Sequence, residues 1–366
     1  MKTHTPKTLI SYLLKEFLFS IFIFILIFFS LTLITSYIED IIFFKNQSSE
    51  SNFFAKIFLL TLVKTPTLLI QFCPFIFLFA SIFYFAKLNK LNEISSMNLS
   101  GLSNNFIFLV PSIFSIFLGI LIIAIITPFS SEMSKFYEAE KQKYSKNDNL
   151  IILNNTGLWI KSNYKNNKFI IRADKVETQD FTKLKNITIY KFNNKNTFEQ
   201  RLDSKSALIK NKIWFLSDAN IINANGENQK KDFVYDSNVN FDELKNFFQN
   251  ASTYSVWNIK EKIRSLQQTG YYGEDLIIMY QKYISLPFLL YCMVFLASIF
   301  TLKSNYNFNN FIYTFIAIIT GIIIYYLSDL SIALGKSGKI PIIISVWIPI
   351  IIIMTFSIYG LLRDNE

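Results

Sequence analysis

Two blocks of long apolar sequence flank a polar, lysine-rich middle of roughly 140 residues. The first block runs from about Leu13 to Ile126 and the second from about Ile277 to Leu362. A helix of about 20 apolar residues crosses the hydrocarbon core of a bilayer, and runs of that length have few other stable homes. The middle contains no such run and belongs in water. The chain is therefore expected to hold a soluble domain between two membrane halves, which limits the functions open to it.

Spans are expected at about Phe17 to Ser36, Phe58 to Phe85, Phe106 to Ile126, Ile277 to Leu302, Phe311 to Leu330 and Ile340 to Leu362, a 3 + 3 arrangement. The domain boundaries follow: 1–130 for spans 1 to 3, 131–273 for the soluble domain with flanking helices, and 274–366 for spans 4 to 6. Lys2, Lys7 and Lys15 ahead of span 1 resemble the charged start of a signal peptide. The run is too long and has no small-residue cleavage site, so it reads as an uncleaved span. Lys and Arg in short loops orient a membrane protein. The N-terminal lysines, Lys87, Lys90, Lys303 and Arg363 fall on one side. Opposite them, Lys45, Lys56, Lys336 and Lys339 are offset by Glu39, Asp40 and Glu50. Both termini are expected in the cytoplasm and the soluble domain outside.

The middle reads as β structure. Segments 158–160, 168–174, 186–192, 207–216 and 232–239 are rich in β-branched and aromatic residues, and Asn/Lys/Asp/Gly clusters separate them. Ile187 and Ile189 alternate with Thr188, Tyr190 and Phe192. An antiparallel sandwich or open barrel is expected, flanked by helical stretches at about 132–144 and 256–267.

Composition removes several function classes. Of the net charge of +10, the stretch from Ser131 to Gly273 contributes +7, with 23 Lys and Arg against 16 Asp and Glu. A basic surface attracts polyanions. No RNP motif, zinc finger or helix-turn-helix signature accompanies it, so no nucleic acid partner is expected. The one histidine, His4, excludes a His-based triad or His metal site within the chain. Cys73 and Cys292 both fall inside spans and suggest no disulfide framework. Gly335-Lys336-Ser337 ends like a P-loop, but Leu330 stands where its first glycine belongs. Any energy for work has to come from a partner.

Charges within spans are costly and functional by default. Lys64, inside span 2, is either a ligand for an anion or a side chain that snorkels to the interface. Asp329, near the outer end of span 5, is either functional or a simple helix-end residue at the water boundary. The connector at about 88–101 has Glu93, Met97 and Gly101 at i, i+4 and i+8 of a short amphipathic helix. Such a helix either docks in a groove of a cytoplasmic motor or lies on lipid.

The Glu-x-x-x-Met-x-x-Ser-Gly pattern at 93–101 resembles the coupling segment of the LptF/LptG permeases, membrane subunits of the ABC exporter that extracts lipopolysaccharide from the inner membrane. Gly157-Leu158-Trp159-Ile160-Lys161, Tyr325-Tyr326-Leu327-Ser328-Asp329 and Gly338-Lys339-Ile340-Pro341 are similar to further family segments, most like those of LptG-type subunits. The resemblance covers nearly the whole chain. It implies six transmembrane helices with an inserted all-β periplasmic jellyroll, and a transporter subunit, not an enzyme. Its partners would be an LptB-like ATPase dimer carrying ATP and Mg, an LptF-like permease, and LptC-like and LptA-like jellyroll proteins. It implies that Glu93, Met97, Ser100 and Gly101 meet the ATPase and that Phe22, Phe29, Phe315 and Ile319 line a lipid cavity. Lys45 and Lys64 would meet the lipid's phosphates. The family's lysine cluster at the outer end of span 1 is reduced here to Lys45, beside Glu39 and Asp40. A membrane-anchored extracytoplasmic sensor or scaffold, without a transport cycle, is the alternative.

Overall fold

The computed structural model describes residues 7–44, 53–143, 150–154, 157–164, 167–176, 183–193, 197–210, 213–223, 226–236, 251–268, 273–302 and 310–363. They fall into two compact units, one from Met1–Ala139 with Ile278–Glu366 and one from Glu140–Ile277.

The first unit is helical. Its elements are α1 (Lys7–Phe44), α2 (Phe53–Lys90), α3 (Glu93–Leu99), α4 (Asn104–Leu121) and α5 (Thr127–Lys143), with a π-helical turn at Ile122–Ile126 between the last two. Three more helices follow the second unit: α7 (Glu274–Leu302), α8 (Asn310–Lys336) and α9 (Ile342–Arg363). Five stretches are long and apolar enough to cross a membrane: Lys7–Phe44, Phe54–Lys90, Asn104–Lys141, Glu274–Ile299 and Phe315–Lys336. Helix α9 is apolar as well, over Ile342–Thr355. Helices α1 and α2 run well past the spans expected for them at both ends, while α7 and α9 keep within about three residues of theirs. The helix does not stop at Ile126, the expected end of span 3: a π turn accommodates an extra residue there and α5 carries on to Lys143.

Two faces of α2 organise the packing. Phe77, Tyr84 and Leu88 face α1, α3 and α4, together with Leu286, Leu290 and Val294 of α7. Leu78 and Ile82 face Ala317 and Ile324 of α8 and Ile350 and Ile353 of α9. Both clusters also draw on α7, so α2 and α7 form the shared centre. Small residues allow close helix approach in a medium where lipid tails are as apolar as side chains. At Gly119 of α4, an added Cβ would lie 2.7 Å from the Cα of Pro287 on α7.

The second unit is a seven-stranded sheet: β1 (Leu150–Asn154), β2 (Gly157–Tyr164), β3 (Asn167–Val176), β4 (Lys183–Phe192), β5 (Phe198–Lys210), β6 (Ile213–Asn223) and β7 (Gly226–Asp236). The strand order is sequential and every described neighbour pair is antiparallel. The described strands thus make a meander, without the crossover that a Greek-key jellyroll requires. The expected strand at 207–216 is instead two strand ends meeting at a hairpin, with Ile209 paired to Trp214. Apolar residues at the facing strand ends, Leu208 and Ile209 with Ile213 and Trp214, hid the division. Helix α6 (Ile259–Gln268) lies after β7, with Ile259 and Leu266 buried.

The alternation of β4 to β6 changes phase along one line. Buried residues are Leu184 then Ile187 and Ile189, Leu202 and Ser204 then Ala207 and Ile209, and Trp214 and Leu216 then Ala219 and Ile221. An extra residue in each strand keeps the same face inward across the shift, as bulges do. Asn186 and Asp218 take left-handed backbone there, with φ of 51° and 54°. The Ser204 hydroxyl donates to the carbonyl of Ser206 or Ser217, at 2.9 and 2.7 Å, covering acceptors freed at the shift.

Candidate functional site

Polar groups of the helical unit gather at two levels of α1. The helical rise from Tyr12 to Asp40 is about 42 Å, close to the thickness of a bilayer with its headgroups. No charged residue lies between Glu16 and Glu39, a rise of about 34 Å that suffices to cross the hydrocarbon core.

The first level surrounds α3. Asn92, at φ 57°, turns the chain out of α2, and Glu93 opens the new helix. Ile94 and Met97 point inward and are 6% and 7% exposed. The helix closes with a Schellman motif: the Gly101 N–H donates to Asn98 O at 2.9 Å and the Leu102 N–H to Met97 O at 3.1 Å. Gly101 has φ +91° with nothing within 4 Å of an added Cβ, so its backbone conformation, and not space, calls for glycine. Ser100 donates its hydroxyl to Met97 O at 2.6 Å.

This geometry revises the expected docking face. Met97 is a core residue, and Gly101 lies beyond the last helical turn. Outward-facing residues are Ser95, Ser96, Asn98 and Leu99, with Leu91 just before the helix. Leu99 is 90% exposed and Leu91 55%. Glu93 is half-buried beside them. The Tyr12 hydroxyl of α1 sits 2.9 Å from each of its carboxylate oxygens. One turn further along α1, Glu16 pairs with Lys87 of α2 at 2.6 Å.

The second level is buried. Asp40, near the end of α1, is 2% exposed. A buried carboxylate persists only when paired and hydrogen-bonded. Its Oδ2 accepts from the Thr61 hydroxyl of α2 at 2.8 Å and its Oδ1 from the Tyr137 hydroxyl of α5 at 2.6 Å. Lys64 of α2, three residues after Thr61, brings its Nζ to 3.8 Å from Asp40 and 3.5 Å from Glu39. The same ammonium lies 5.4 Å from the Tyr137 ring centre. The Thr67 hydroxyl donates to Ser130 O at 3.1 Å, a second tie between α2 and α5.

Lys64, an expected phosphate ligand, thus stands between two carboxylates, and any anion reaching its ammonium would share it with Asp40 and Glu39. Lys45, the other expected phosphate ligand, lies outside the described residues. Asp40 and Tyr137 were not among the expected site residues, although an acid closing an apolar run signals a need for partners.

The expected cavity residues lie on open faces. Phe22 is 58% exposed, Phe315 53% and Ile319 39%, while Phe29 is half-buried. Their helices α1 and α8 are the least covered spans, each with 22% of its apolar window buried, against 67% for α7. In the second unit, Gly157-Leu158-Trp159-Ile160-Lys161 forms the first part of β2, with the Arg172 guanidinium 5.4 Å from the Trp159 ring centre. Charged residues near the phase shift pair among themselves: Arg172 with Asp174 at 3.0 Å, Arg201 with Asp203 at 2.9 Å and Lys205 with Asp218 at 3.2 Å. Among the described residues no cluster of His, Cys, Asp and Glu could hold a metal ion.

No curated protein matches the chain. Residues 11–363 match the family model described as lipopolysaccharide export system permease LptF/LptG, and the chain, with its several apolar helices and its antiparallel sheet, belongs to that family of multi-pass membrane permeases.

Proposed function

We propose that the chain is an LptG-type half of the lipopolysaccharide exporter. It crosses the bacterial inner membrane six times, with its antiparallel sheet unit in the periplasm acting as one segment of a lipid bridge. A second, LptF-like permease faces it. An LptB-like ATPase dimer binds on the cytoplasmic side, supplying ATP and Mg, and LptC-like and LptA-like jellyrolls receive the lipid at open strand edges.

The carrying observation is the construction of α3. Two buried side chains, Ile94 and Met97, fix this short helix in the core shared by α1, α2, α4 and α7. Its outer side presents Leu99, with Leu91 and the Glu93 carboxylate nearby. A motor pressing there moves the bundle, because the inward side has no slack. The open faces of α1 and α8 support a cavity lined by spans 1 and 5 of both permeases, with Phe22, Phe29, Phe315 and Ile319 toward the acyl chains. Closure of the ATPase narrows that cavity and drives the lipid upward.

The test is co-purification. The chain is expressed in detergent with the products of its neighbouring genes. The reading expects a cytoplasmic ATPase and a second permease to come with it, and ATP hydrolysis to respond to lipopolysaccharide. A chain that purifies alone and stable, with no such ATPase, returns the sensor or scaffold reading.

A further inference from the structure

The coupling reading assigns Glu93 to the ATPase and leaves open how a push on α3 reaches α1, whose open face is the proposed cavity wall. The sequence gives no hint, because 81 positions separate the two partners. In the structure, the Tyr12 hydroxyl lies 2.9 Å from both Oε1 and Oε2 of Glu93. One hydroxyl has one proton, so the pair is a single hydrogen bond shared between the two carboxylate oxygens. The charged acceptor makes it stronger than a neutral one.

The setting makes this a joint. Tyr12 and Glu16 stand one turn apart on α1, and Glu16 holds Lys87 of α2 at 2.6 Å. Beneath them Tyr84 is fully buried, its ring edge-on to Phe17 of α1 at 5.4 Å. Both α2 and α3 are thereby tied to the same turns of α1. Of these ties, the Tyr12 bond alone reaches the coupling helix through a polar group. It is also open: Tyr12 is 38% exposed and Glu93 half-buried, so a partner's cation could approach the carboxylate without opening the core.

We propose that Tyr12 is a positioning residue for coupling: its hydroxyl holds Glu93 against α1, so that a guanidinium or ammonium of the ATPase engaging Glu93 moves α1 together with α3. This rests on the exporter reading. Tyr12 touches neither nucleotide nor lipid, and its contribution is the transfer of displacement to α1.

The test uses the complete transporter in lipid vesicles, with lipopolysaccharide as substrate, and reads lipid extracted per ATP hydrolysed. Tyr12→Phe removes one oxygen and keeps the ring. The expected result is ATP hydrolysis close to the parent's, because Tyr12 touches neither nucleotide nor lipid, with the yield of lipid per ATP lowered several-fold. Glu93→Gln keeps an acceptor for Tyr12 and removes the charge a cation would seek. It is expected to lower hydrolysis itself. If Glu93→Gln leaves hydrolysis and extraction at parental values, the coupling reading fails. If Glu93→Gln impairs hydrolysis while Tyr12→Phe keeps the parental yield per ATP, the coupling reading stands and the role of Tyr12 is overturned. If Tyr12→Phe lowers only the amount of assembled transporter, with the yield per ATP unchanged, Tyr12 is structural and the proposal is again overturned.

Discussion

The two polar levels of α1 use similar residue types to opposite ends. Around Asp40, a carboxylate, a tyrosine, a threonine and a lysine close on one another from three helices, with the carboxylate 2% exposed. Around Glu93, a carboxylate meets a tyrosine at the open edge of the bundle. In the first case every partner is internal, and removing one strands a charge in a poorly solvated place. In the second, water or another protein can substitute for a lost partner. Burial therefore decides which network fixes the structure and which is free to transmit. Lys64 joins the buried level through Asp40 at 3.8 Å and reaches the exposed Glu39 at 3.5 Å.

The sharpest way to break this contrast is Asp40→Ala. It removes the acceptor that the Thr61 and Tyr137 hydroxyls share, while Lys64 keeps Glu39 at 3.5 Å. Destabilisation of about 4 kcal/mol is expected, from two buried donors losing their acceptor at about 2 kcal/mol each, read as a lower thermal midpoint of the purified complex in detergent. A midpoint equal to the parent's would mean that Asp40 is solvated and the two levels do not differ. Next comes Met97→Ala, which deletes a core side chain and should cost about 3 kcal/mol. If thermal stability is unchanged and only ATPase binding falls, Met97 faces the partner after all.

Tyr137→Phe withdraws one donor from a buried carboxylate. A cost of about 2 kcal/mol is expected, with lipid binding unaffected, and titration with lipopolysaccharide alongside the melt separates the two effects. The smallest change is Gly101→Ala, where the new methyl meets no atom but must adopt a φ of +91°. About 1 kcal/mol is expected. A loss several times larger would show that the turn after α3 is closed by something beyond its backbone conformation.

Much of the architecture was legible because its causes are local. Apolar run length announced the five helices long and apolar enough to cross a membrane, and alternation at Ile187 and Ile189 announced a sheet face. The division between β5 and β6 was hidden, since Ala207 to Leu216 is apolar enough to pass for one strand. The coordinated phase shift was hidden too, because it depends on three strands adding a residue at the same level. In the site, the position of Glu93 followed from its motif. The inward direction of Met97 did not, since i, i+4 spacing states which residues share a face and not what that face meets. Lys64 was visible as an unusual charge, but its partners Asp40 and Tyr137 are 24 and 73 positions away. Spacing along a chain carries no information about pairs that only the packing of α1, α2 and α5 creates.

The central claim is that the open level transmits and the buried level fixes. The most direct test is Glu93→Arg in the reconstituted transporter, measured for lipopolysaccharide-stimulated ATP hydrolysis and for thermal midpoint in the same preparation. The expected result is loss of the stimulated hydrolysis with membrane insertion and midpoint close to the parent's. Normal stimulated hydrolysis in that variant would contradict the account.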